Sequence, residues 1–284
     1  MRGPAIVLVL AGCYSPSAED CAYKCSEGAC PAGLTCVANY CRVPGAEDTC
    51  NGSYVTAVAQ SEPIVWWRFS EGPGSTIVKD EMNNADATNS GALLGAAGFL
   101  PADRAAVFSG GQMDCMTAGM FGGADFTDAS DFTVEAWVAF VSGTGDRPIV
   151  GKLGYVGAAE IGWDFRIASS GQLQLRTCNG STCSTISSST PVGEDRWWYV
   201  AATYRGAATT SDAAEIYVDG VRIGTPIDFV PGPAIAAPSP PLTVGCVQGN
   251  PTPGSYFSGA LDEIAIYDHA LDAQEIAAHF AAGD

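Results

Sequence analysis

The sequence predicts an all-β sandwich that ends in a short helix. Three observations favour it: short apolar segments alternate with glycine-rich turns along most of the chain, one segment alternates cleanly between two faces, and a helix N-cap signature follows the last segment. The 284 residues include 34 glycines, and only 15% are charged. This composition is typical of a many-stranded domain rich in turns.

The clearest predicted strand covers residues 132–141, which read FTVEAWVAFV. Strand geometry sends alternate side chains to opposite faces, so one apolar face carries Phe132, Val134, Ala136, Val138 and Phe140. The domain begins with residues 63–69, and further short strands are predicted at residues 76–79, 106–109, 149–152, 163–167, 173–176 and 196–204. Residues 242–245 lead back toward the final strand. An Asp-Gly turn at residues 219–220 joins two segments and predicts a hairpin.

The chain is predicted to end with a strand, a turn and a short helix. Residues 261–267 read LDEIAIY, and both faces of this strand are largely apolar, as in a central strand of a sheet. Asp272, with Glu275 three positions later, forms a capping-box pattern. Ile276, Ala277 and Phe280 supply the apolar stripe of the helix that follows.

These segments together resemble the laminin-G-like family of concanavalin A-like jelly rolls. The resemblance rests on five motifs in order over about 225 residues, namely the opening with Trp67 and Phe69, the FTVEAWV strand, WWYVAATY, the IYVDG hairpin and LDEIAIY with its helix. Tyr199 stands where a histidine is usual in the family. The resemblance implies a jelly-roll β-sandwich, with the first and last strands as neighbours. It also implies that some members bind a structural calcium ion between them.

The N-terminus predicts a lipid-anchored secreted protein. Arg2 precedes an apolar run that is too short to span a bilayer, which indicates a cleaved signal over residues 1–12. Residues 10–13 read LAGC and resemble the bacterial lipobox, which implies lipidation of Cys13. Tyr14 follows in place of the aspartate that retains some lipoproteins at the inner membrane, so we expect the outer membrane or the cell surface. The alternative is an ordinary signal peptide in which Cys13 pairs elsewhere.

The cysteines predict a small disulfide-bonded stalk before the sandwich. Of the eleven cysteines, ten are left once Cys13 is lipidated, an even number that suits an oxidising compartment. Residues 13–52 contain six of them with almost no aliphatic core, which predicts three disulfides in any of fifteen pairings: Cys21, Cys25, Cys30, Cys36, Cys41 and Cys50. A zinc knuckle is the alternative, but this segment has no histidine.

The third predicted domain, at residues 53–284, is the sandwich itself, and it holds the other four cysteines. Cys178 and Cys183 enclose four residues, a spacing that suits a disulfide at a hairpin tip. Elimination then pairs Cys115 with Cys246.

Charge and motifs exclude several function classes. The net charge of −18 argues against binding of nucleic acid or an anionic lipid surface through a basic patch, so membrane contact is expected through the lipid anchor only. No Glu-x-Asp-x-Glu run typical of glycosidases on related jelly rolls is present. Asp262 and Glu263 are adjacent and are expected to point to opposite faces of their strand, so they do not form a catalytic pair. The sequence therefore predicts a protein without enzymatic activity.

A structural calcium ion is the one cofactor that the sequence suggests. Calcium takes carboxylate, amide and carbonyl oxygens, which the polar loop at residues 80–86 offers through Asp80 and Asn84. Asp262 in the last strand is the third candidate ligand, if the first and last strands are neighbours. The alternative is structural, with Asp80 capping a turn, Asn84 in an Asx turn and Asp262 accepting bonds from the backbone or an arginine.

The expected function is recognition of a glycan or of a surface protein by a surface-anchored module. The tryptophans in strands are expected to be mostly core, so a carbohydrate platform would need Trp163, Tyr155 or Tyr256 to be exposed. One alternative is a structural or assembly lipoprotein of the cell envelope. The other is a glycosidase-like enzyme, which would need two carboxylates facing one cleft.

Overall fold

A computed structural model describes residues 30, 33–37, 40–44, 54–100, 103–111, 114–127, 129–141, 145–157, 159–194, 196–206, 214–223, 240–247, 249 and 256–283. The chain divides into two compact units, residues 1–56 and 57–284. The predicted lipidation site Cys13 lies outside the described residues, as do Cys21, Cys25 and Cys50.

The smaller unit contains one described hairpin, in which Thr35–Val37 (β1) pairs with Tyr40–Arg42 (β2). A disulfide joins Cys30 to Cys41. Cys36 lies in β1, and its side chain is outside what the structure describes. One disulfide in so short a stretch with little apolar residue content agrees with a covalently held segment.

The remaining strands are short and antiparallel. In chain order they are Val65–Trp67 (β3), Ile77–Val78 (β4), Ala87–Asn89 (β5), Leu93–Ala97 (β6), Arg104–Ser109 (β7), Met116–Thr117 (β8), Phe132–Phe140 (β9), Arg147–Val156 (β10), Ala159–Ile167 (β11), Leu173–Asn179 (β12), Cys183–Ser187 (β13), Trp198–Tyr204 (β14), Ala214–Val218 (β15), Val221–Arg222 (β16), Thr243–Val244 (β17) and Ser258–Tyr267 (β18). The helices are Tyr54–Gln60 (α1) and Ala273–Gly283 (α2), and Gly122–Ala124 forms a 3₁₀ turn.

These strands build two sheets. Sheet I has the order β13-β12-β11-β10-β17-β8-β5-β4, and sheet II has the order β16-β15-β14-β9-β18-β7-β6, with β3 also paired to β18. The first and last strands of the sandwich are therefore neighbours, and Ile264 lies opposite Trp67. The predicted all-β sandwich with a C-terminal helix is confirmed.

One apolar core lies between the inner faces of the two sheets. The face of β9 that the sequence predicts to be apolar is buried in it, together with Trp163 and Phe165 of sheet I. Burial of this many large side chains is the main favourable term in folding. Polar residues of β9 and β11, among them Glu135 and Asp164, lie on the opposite, outer faces.

The capping box of α2 forms as predicted, since Asp272 Oδ1 accepts from the backbone N–H groups of Gln274 and Glu275, and Glu275 accepts from the Asp272 N–H. The predicted stripe is partly wrong. Ala277 is exposed, and His279 is buried in its place, at 2% exposure. A histidine that has polar partners can take a buried position, which an apolar pattern alone does not predict.

Two disulfides join parts of sheet I. Cys178 and Cys183 lie directly opposite each other on β12 and β13, and they are bonded. Cys115 is bonded to Cys246, beside the paired strands β8 and β17. In the described part of the chain, no helix is long and apolar enough to cross a membrane.

Candidate functional site

Asp80 organises the turn that follows β4. Its Oδ1 accepts from the backbone N–H groups of Trp66 (2.7 Å) and Met82 (3.1 Å), and its Oδ2 accepts from those of Asn84 (2.8 Å) and Ala85 (2.9 Å). Four donors occupy both oxygens of a carboxylate that is 2% exposed. This geometry fits the structural alternative, in which Asp80 caps a turn.

Asn84 has a structural contact as well, because its Nδ2 donates to the Ile64 carbonyl at 2.9 Å. The structure places Asp262 in a different group. Among the described residues, the carboxylates that lie close enough to share a cation with Asp262 are Asp103 and Glu263, with oxygens within 4.8 Å of one another. The three predicted calcium ligands are thus divided between two clusters.

A β-bulge explains why Asp262 and Glu263 meet. The register between β18 and β9 shifts between Asp262 and Ala265, and Glu263 has φ 50°. The expectation that these two carboxylates point to opposite faces is therefore wrong. It assumed regular alternation, whereas the extra residue of the bulge turns both side chains toward the outer face of sheet II.

Arg68 is the cation of this acidic cluster. Its Nε donates to Glu263 at 2.9 Å, and its Nη2 lies 3.4 Å from Asp103. Trp66 Nε1 donates to the second oxygen of Glu263 at 2.6 Å. Asp262 accepts from the backbone N–H groups of Phe99 and Glu263, both at 2.9 Å. Each buried carboxylate thus has partners, as buried charges require.

Burial shifts the acid–base behaviour of the cluster. Asp262 and Glu263 are both 0% exposed. Burial raises the pKa of Asp262 to about 8, against the opposing hydrogen bond from Phe99 N–H. It also raises the pKa of Glu263 well above the usual value, although Arg68 acts in the opposite direction. The cluster therefore holds protons near neutral pH, and calcium binding here stays a prediction.

The outer face of sheet I carries a second polar constellation, which we call the sheet I row. Two arginines link three carboxylates and a tyrosine across β10, β11 and β12; its members are Asp146, Arg166, Asp164, Arg176, Glu160 and Tyr155. Asp164 and Arg166 at its centre are 1% and 5% exposed. Toward the other end the side chains become accessible.

Arg176, Glu160 and Tyr155 form that accessible end. Arg176 Nη2 donates to Glu160 at 2.9 Å, its Nε lies 3.3 Å from Asp164, and the Tyr155 hydroxyl donates to Glu160 at 2.6 Å. Burial acts to raise the pKa of Glu160, but Arg176 and Tyr155 outweigh it and keep the carboxylate ionised. Burial and the bond to Glu160 raise the pKa of Tyr155 to about 12, so its hydroxyl stays protonated.

The structure separates the three candidate aromatic platforms. Trp163 is 1% exposed and belongs to the core, where its Nε1 donates to the Ala124 carbonyl at 2.9 Å. It cannot present a face to a ligand. Tyr155 and Tyr256 are both half-buried, and Tyr155 is the one that joins the sheet I row.

Sequence reasoning missed this row, although the sequence contains a signal for it. Residues 159–167 read AEIGWDFRI, in which Glu160, Asp164 and Arg166 share one parity while Trp163, Phe165 and Ile167 share the other. A strand with an apolar inner face and ionisable groups of both signs on its outer face is a candidate binding strand. The partner Arg176 lies on the next strand and is found only through the register, in which it pairs with Asp164.

Solved structures with a similar fold include a Trypanosoma rangeli sialidase in complex with sialic acid (TM-score 0.52, 14% identity over 76% of this chain). They also include the binding domain of botulinum neurotoxin serotype G (TM-score 0.56, 12% identity over 77% of this chain). A third is the binding domain of Paraclostridial Mosquitocidal Protein 1 (TM-score 0.54, 16% identity over 77% of this chain). The chain spans 32% of the sialidase, 50% of the neurotoxin domain and 51% of the mosquitocidal domain. At these identities the likeness shows the fold alone.

A comparison with curated proteins gave no match. The laminin G model of the concanavalin A-like lectin/glucanases superfamily matches residues 116–277. This range is more than half of the chain, and it includes β9, the sheet I row and the bulged last strand. The chain belongs to the concanavalin A-like lectin/glucanases superfamily.

Proposed function

We propose that this protein is a binding module that recognises a glycan through the accessible end of the sheet I row. The observation that carries the proposal is the Tyr155–Glu160–Arg176 constellation, in which a half-buried aromatic ring lies beside a fixed carboxylate and a fixed guanidinium. Sugar rings present apolar C–H faces together with hydroxyl groups. An aromatic face and charged hydrogen-bonding groups match both kinds of surface.

The row is also rigid, which favours binding. Its members lie on three paired strands, and each charged group is already held by a partner of opposite sign. A ligand that meets such a surface does not have to order flexible side chains, and this lowers the entropic cost of binding. The same fold in two toxin binding domains supports a binding role.

Binding without hydrolysis follows from the way the carboxylates are engaged. A glycosidase needs one carboxylate to protonate the leaving group and another to attack or to activate water. Glu160 and Asp164 instead both bind the guanidinium of Arg176. The lowered pKa of Glu160 opposes a general-acid role near neutral pH.

The test is glycan-array binding of the full chain, followed by calorimetric titration with the best-bound glycan. Tyr155→Ala and Arg176→Gln should each weaken binding by about tenfold, which corresponds to about 1.4 kcal/mol. Tyr256→Ala is the matched control, since it removes another half-buried tyrosine. It should leave the affinity unchanged.

Two outcomes would count against this proposal. Equal affinity for Tyr155→Ala and the parent protein would move the site away from the sheet I row. Absence of any glycan binding would favour recognition of a surface protein, for which the edge strand β6, with Leu93 61% exposed, is a second surface to test.

We also propose, from the acidic cluster, that calcium binds to Asp262 with its neighbours Asp103 and Glu263. A ligand that binds only the folded chain raises its unfolding midpoint. Excess calcium should therefore raise the midpoint relative to chelator, and Asp262→Ala should abolish the rise. Asp80→Ala lowers stability through loss of the turn, but the calcium-dependent increment should persist, because Asp80 is committed to four backbone donors.

The surface location is proposed from Cys13 and its LAGC context. Cys13→Ser should prevent acylation and move the protein from the membrane fraction to the soluble fraction of the producing cell. Several acyl chains on one residue anchor stably, whereas one alone binds only marginally. Unchanged fractionation of Cys13→Ser, with no lipid found on the parent protein by mass spectrometry, would refute the anchor.

A further inference from the structure

The outer face of sheet II contains a chain of three polar side chains that the binding proposal does not use. His279 Nε2 lies 2.9 Å from the Ser61 Oγ, and His279 Nδ1 lies 2.9 Å from Glu135 Oε2. Ser61 directly follows α1, His279 is on α2 and Glu135 is on β9. Three separate elements thus meet to form one serine–histidine–glutamate series.

The proton positions in this series follow from the chemistry of its members. Glu135 Oε2 accepts a hydrogen bond when His279 carries its proton on Nδ1, and we assign this tautomer. In the neutral imidazole with this tautomer, Nε2 is an acceptor, and the Ser61 hydroxyl lies in position to donate to it. The serine proton therefore points at a base. The protonated imidazole is in turn favoured by a hydrogen bond to the Ala57 backbone.

Glu135 is fixed firmly in its role as the orienting group. It is 0% exposed, and it also accepts hydrogen bonds from the hydroxyls of Tyr199 (2.5 Å) and Tyr267 (3.0 Å). These donors come from the strands on either side of β9. A buried carboxylate that contacts three donors is held in place, and it holds the imidazole in one orientation.

Exposure to solvent increases along the series from Glu135 to Ser61, and a nucleophile has to be reachable by its substrate. Glu135 and His279 are buried, at 0% and 2% exposure, whereas Ser61 is half-buried. Ser61 is therefore the most accessible residue of the series.

We propose that Ser61 is a nucleophile, activated by His279 and Glu135, that reacts with electrophilic acyl and phosphonyl groups. Such a series is the arrangement by which serine is activated in hydrolases. With a fluorophosphonate, the Ser61 oxygen forms a bond to phosphorus, the P–F bond breaks and fluoride leaves. The hydroxyl proton passes to His279 Nε2. An acyl ester would react in the same sense, with an alcohol as the leaving group.

The serine–histidine–glutamate series and the proposed glycan site lie on different sheets. The Ser61–His279–Glu135 series lies on the outer face of sheet II, and the Tyr155–Glu160–Arg176 constellation lies on the outer face of sheet I. Either can fail alone. A variant in one sheet should leave the readout of the other unchanged.

The experiment treats the full-length protein with a biotinylated fluorophosphonate and identifies the modified residue by peptide mass spectrometry. We expect one label, on Ser61, that is lost in Ser61→Ala. Ser75→Ala is the matched control, because Ser75 is also half-buried but donates to the Ile77 carbonyl. It should label like the parent protein. His279→Gln should slow labelling by about 100-fold, the usual size of a general-base contribution.

The pH dependence of labelling distinguishes a Ser61 that is activated by His279 from a serine that is only exposed. Burial lowers the pKa of His279, but Glu135, Glu275 and a hydrogen bond to the Ala57 backbone outweigh it and raise the pKa above its usual value. Tyr199 and Tyr267 also face this group, since both donate hydrogen bonds to Glu135. Because the base must be neutral, labelling should increase through a midpoint above pH 6.5.

Three labelling results would overturn the proposal. An unlabelled Ser61 in the folded parent protein would exclude an activated nucleophile. A labelling rate that does not depend on pH between 6 and 9 would show that the series only joins the helices to the sheet. A folded His279→Gln variant that is labelled as fast as the parent protein would show the same.

Discussion

Arg68→Met should lower the free energy of unfolding by about 3–5 kcal/mol at pH 8, the usual cost of removing one partner of a buried ion pair. Arg68 is bonded to Glu263, which is 0% exposed, and it also faces Asp103. Although burial lowers the pKa of Arg68, these carboxylates more than compensate and raise it, so the guanidinium stays charged. Methionine keeps most of the volume and leaves the carboxylates without their cation.

The loss should be smaller at pH 5, and the sign follows from proton linkage. Asp262 has a pKa of about 8 in the folded state and near the ordinary value of 3.8 in the unfolded state. The folded chain therefore binds protons more tightly, so this group contributes most below pH 4, and its contribution falls as the pH rises toward 8. Glu263 acts in the same direction. Protonation at pH 5 removes much of the repulsion that Arg68 balances.

Denaturant unfolding at pH 5 and pH 8 measures both statements. Arg196→Met is the matched control, because Arg196 pairs with Asp219 at 2.7 Å but its side chain is 53% exposed. Such a surface pair contributes about 0–1 kcal/mol. Equal losses for the two variants, or a loss from Arg68→Met that does not depend on pH, would mean that the acidic cluster is not held together by its arginine.

The contrast between the two polar surfaces shows how far sequence reasoning reaches. The alternation of Phe132 to Phe140 predicted the inner face of β9 correctly, because burial on one face leaves a period of two in the sequence. The same rule failed at Glu263, where one residue with positive φ breaks the period. A bulge of this kind leaves no reliable trace in residue type, because glutamate is not a residue that favours positive φ.

The functional constellations also depend on contacts that the sequence does not encode locally. The bond between Glu135 and His279 joins residues 144 positions apart, and that between Ser61 and His279 joins residues 218 positions apart. The order of the strands in the sheets decides which distant residues come into contact, and that order follows from the packing of the whole chain. The sequence therefore predicted the fold and the capping box of α2, whereas the polar partners on the outer faces required the structure.

Gly162→Ala should have the largest effect on stability, with a loss of more than about 4 kcal/mol or no folded protein at all. Gly162 has φ 115°, and a Cβ at this position would lie 1.7 Å from the Lys152 carbonyl oxygen of the neighbouring strand. That oxygen is part of the backbone and cannot move aside without separating β10 from β11. The positive φ disfavours any residue with a Cβ, and the nearby carbonyl oxygen leaves no room for one.

Gly157→Ala separates these two causes. Gly157 also has a positive φ, of 65°, but a Cβ there would meet nothing within 4 Å. Its replacement should cost only about 1–2 kcal/mol, the penalty of the left-handed conformation. Thermal unfolding of the two variants beside the parent protein measures the difference. Similar midpoints would mean that β10 and β11 can tolerate the contact.

The same substitution connects the fold to the proposed binding surface. The strand pair that Gly162 allows also brings Tyr155 opposite Glu160, and it carries the 2.6 Å hydrogen bond between them. Separation of β10 from β11 should break that bond before it affects sheet II. Any folded Gly162→Ala protein should therefore lose glycan binding yet keep fluorophosphonate labelling of Ser61, because the two sites belong to different sheets and only one depends on this close approach of backbones.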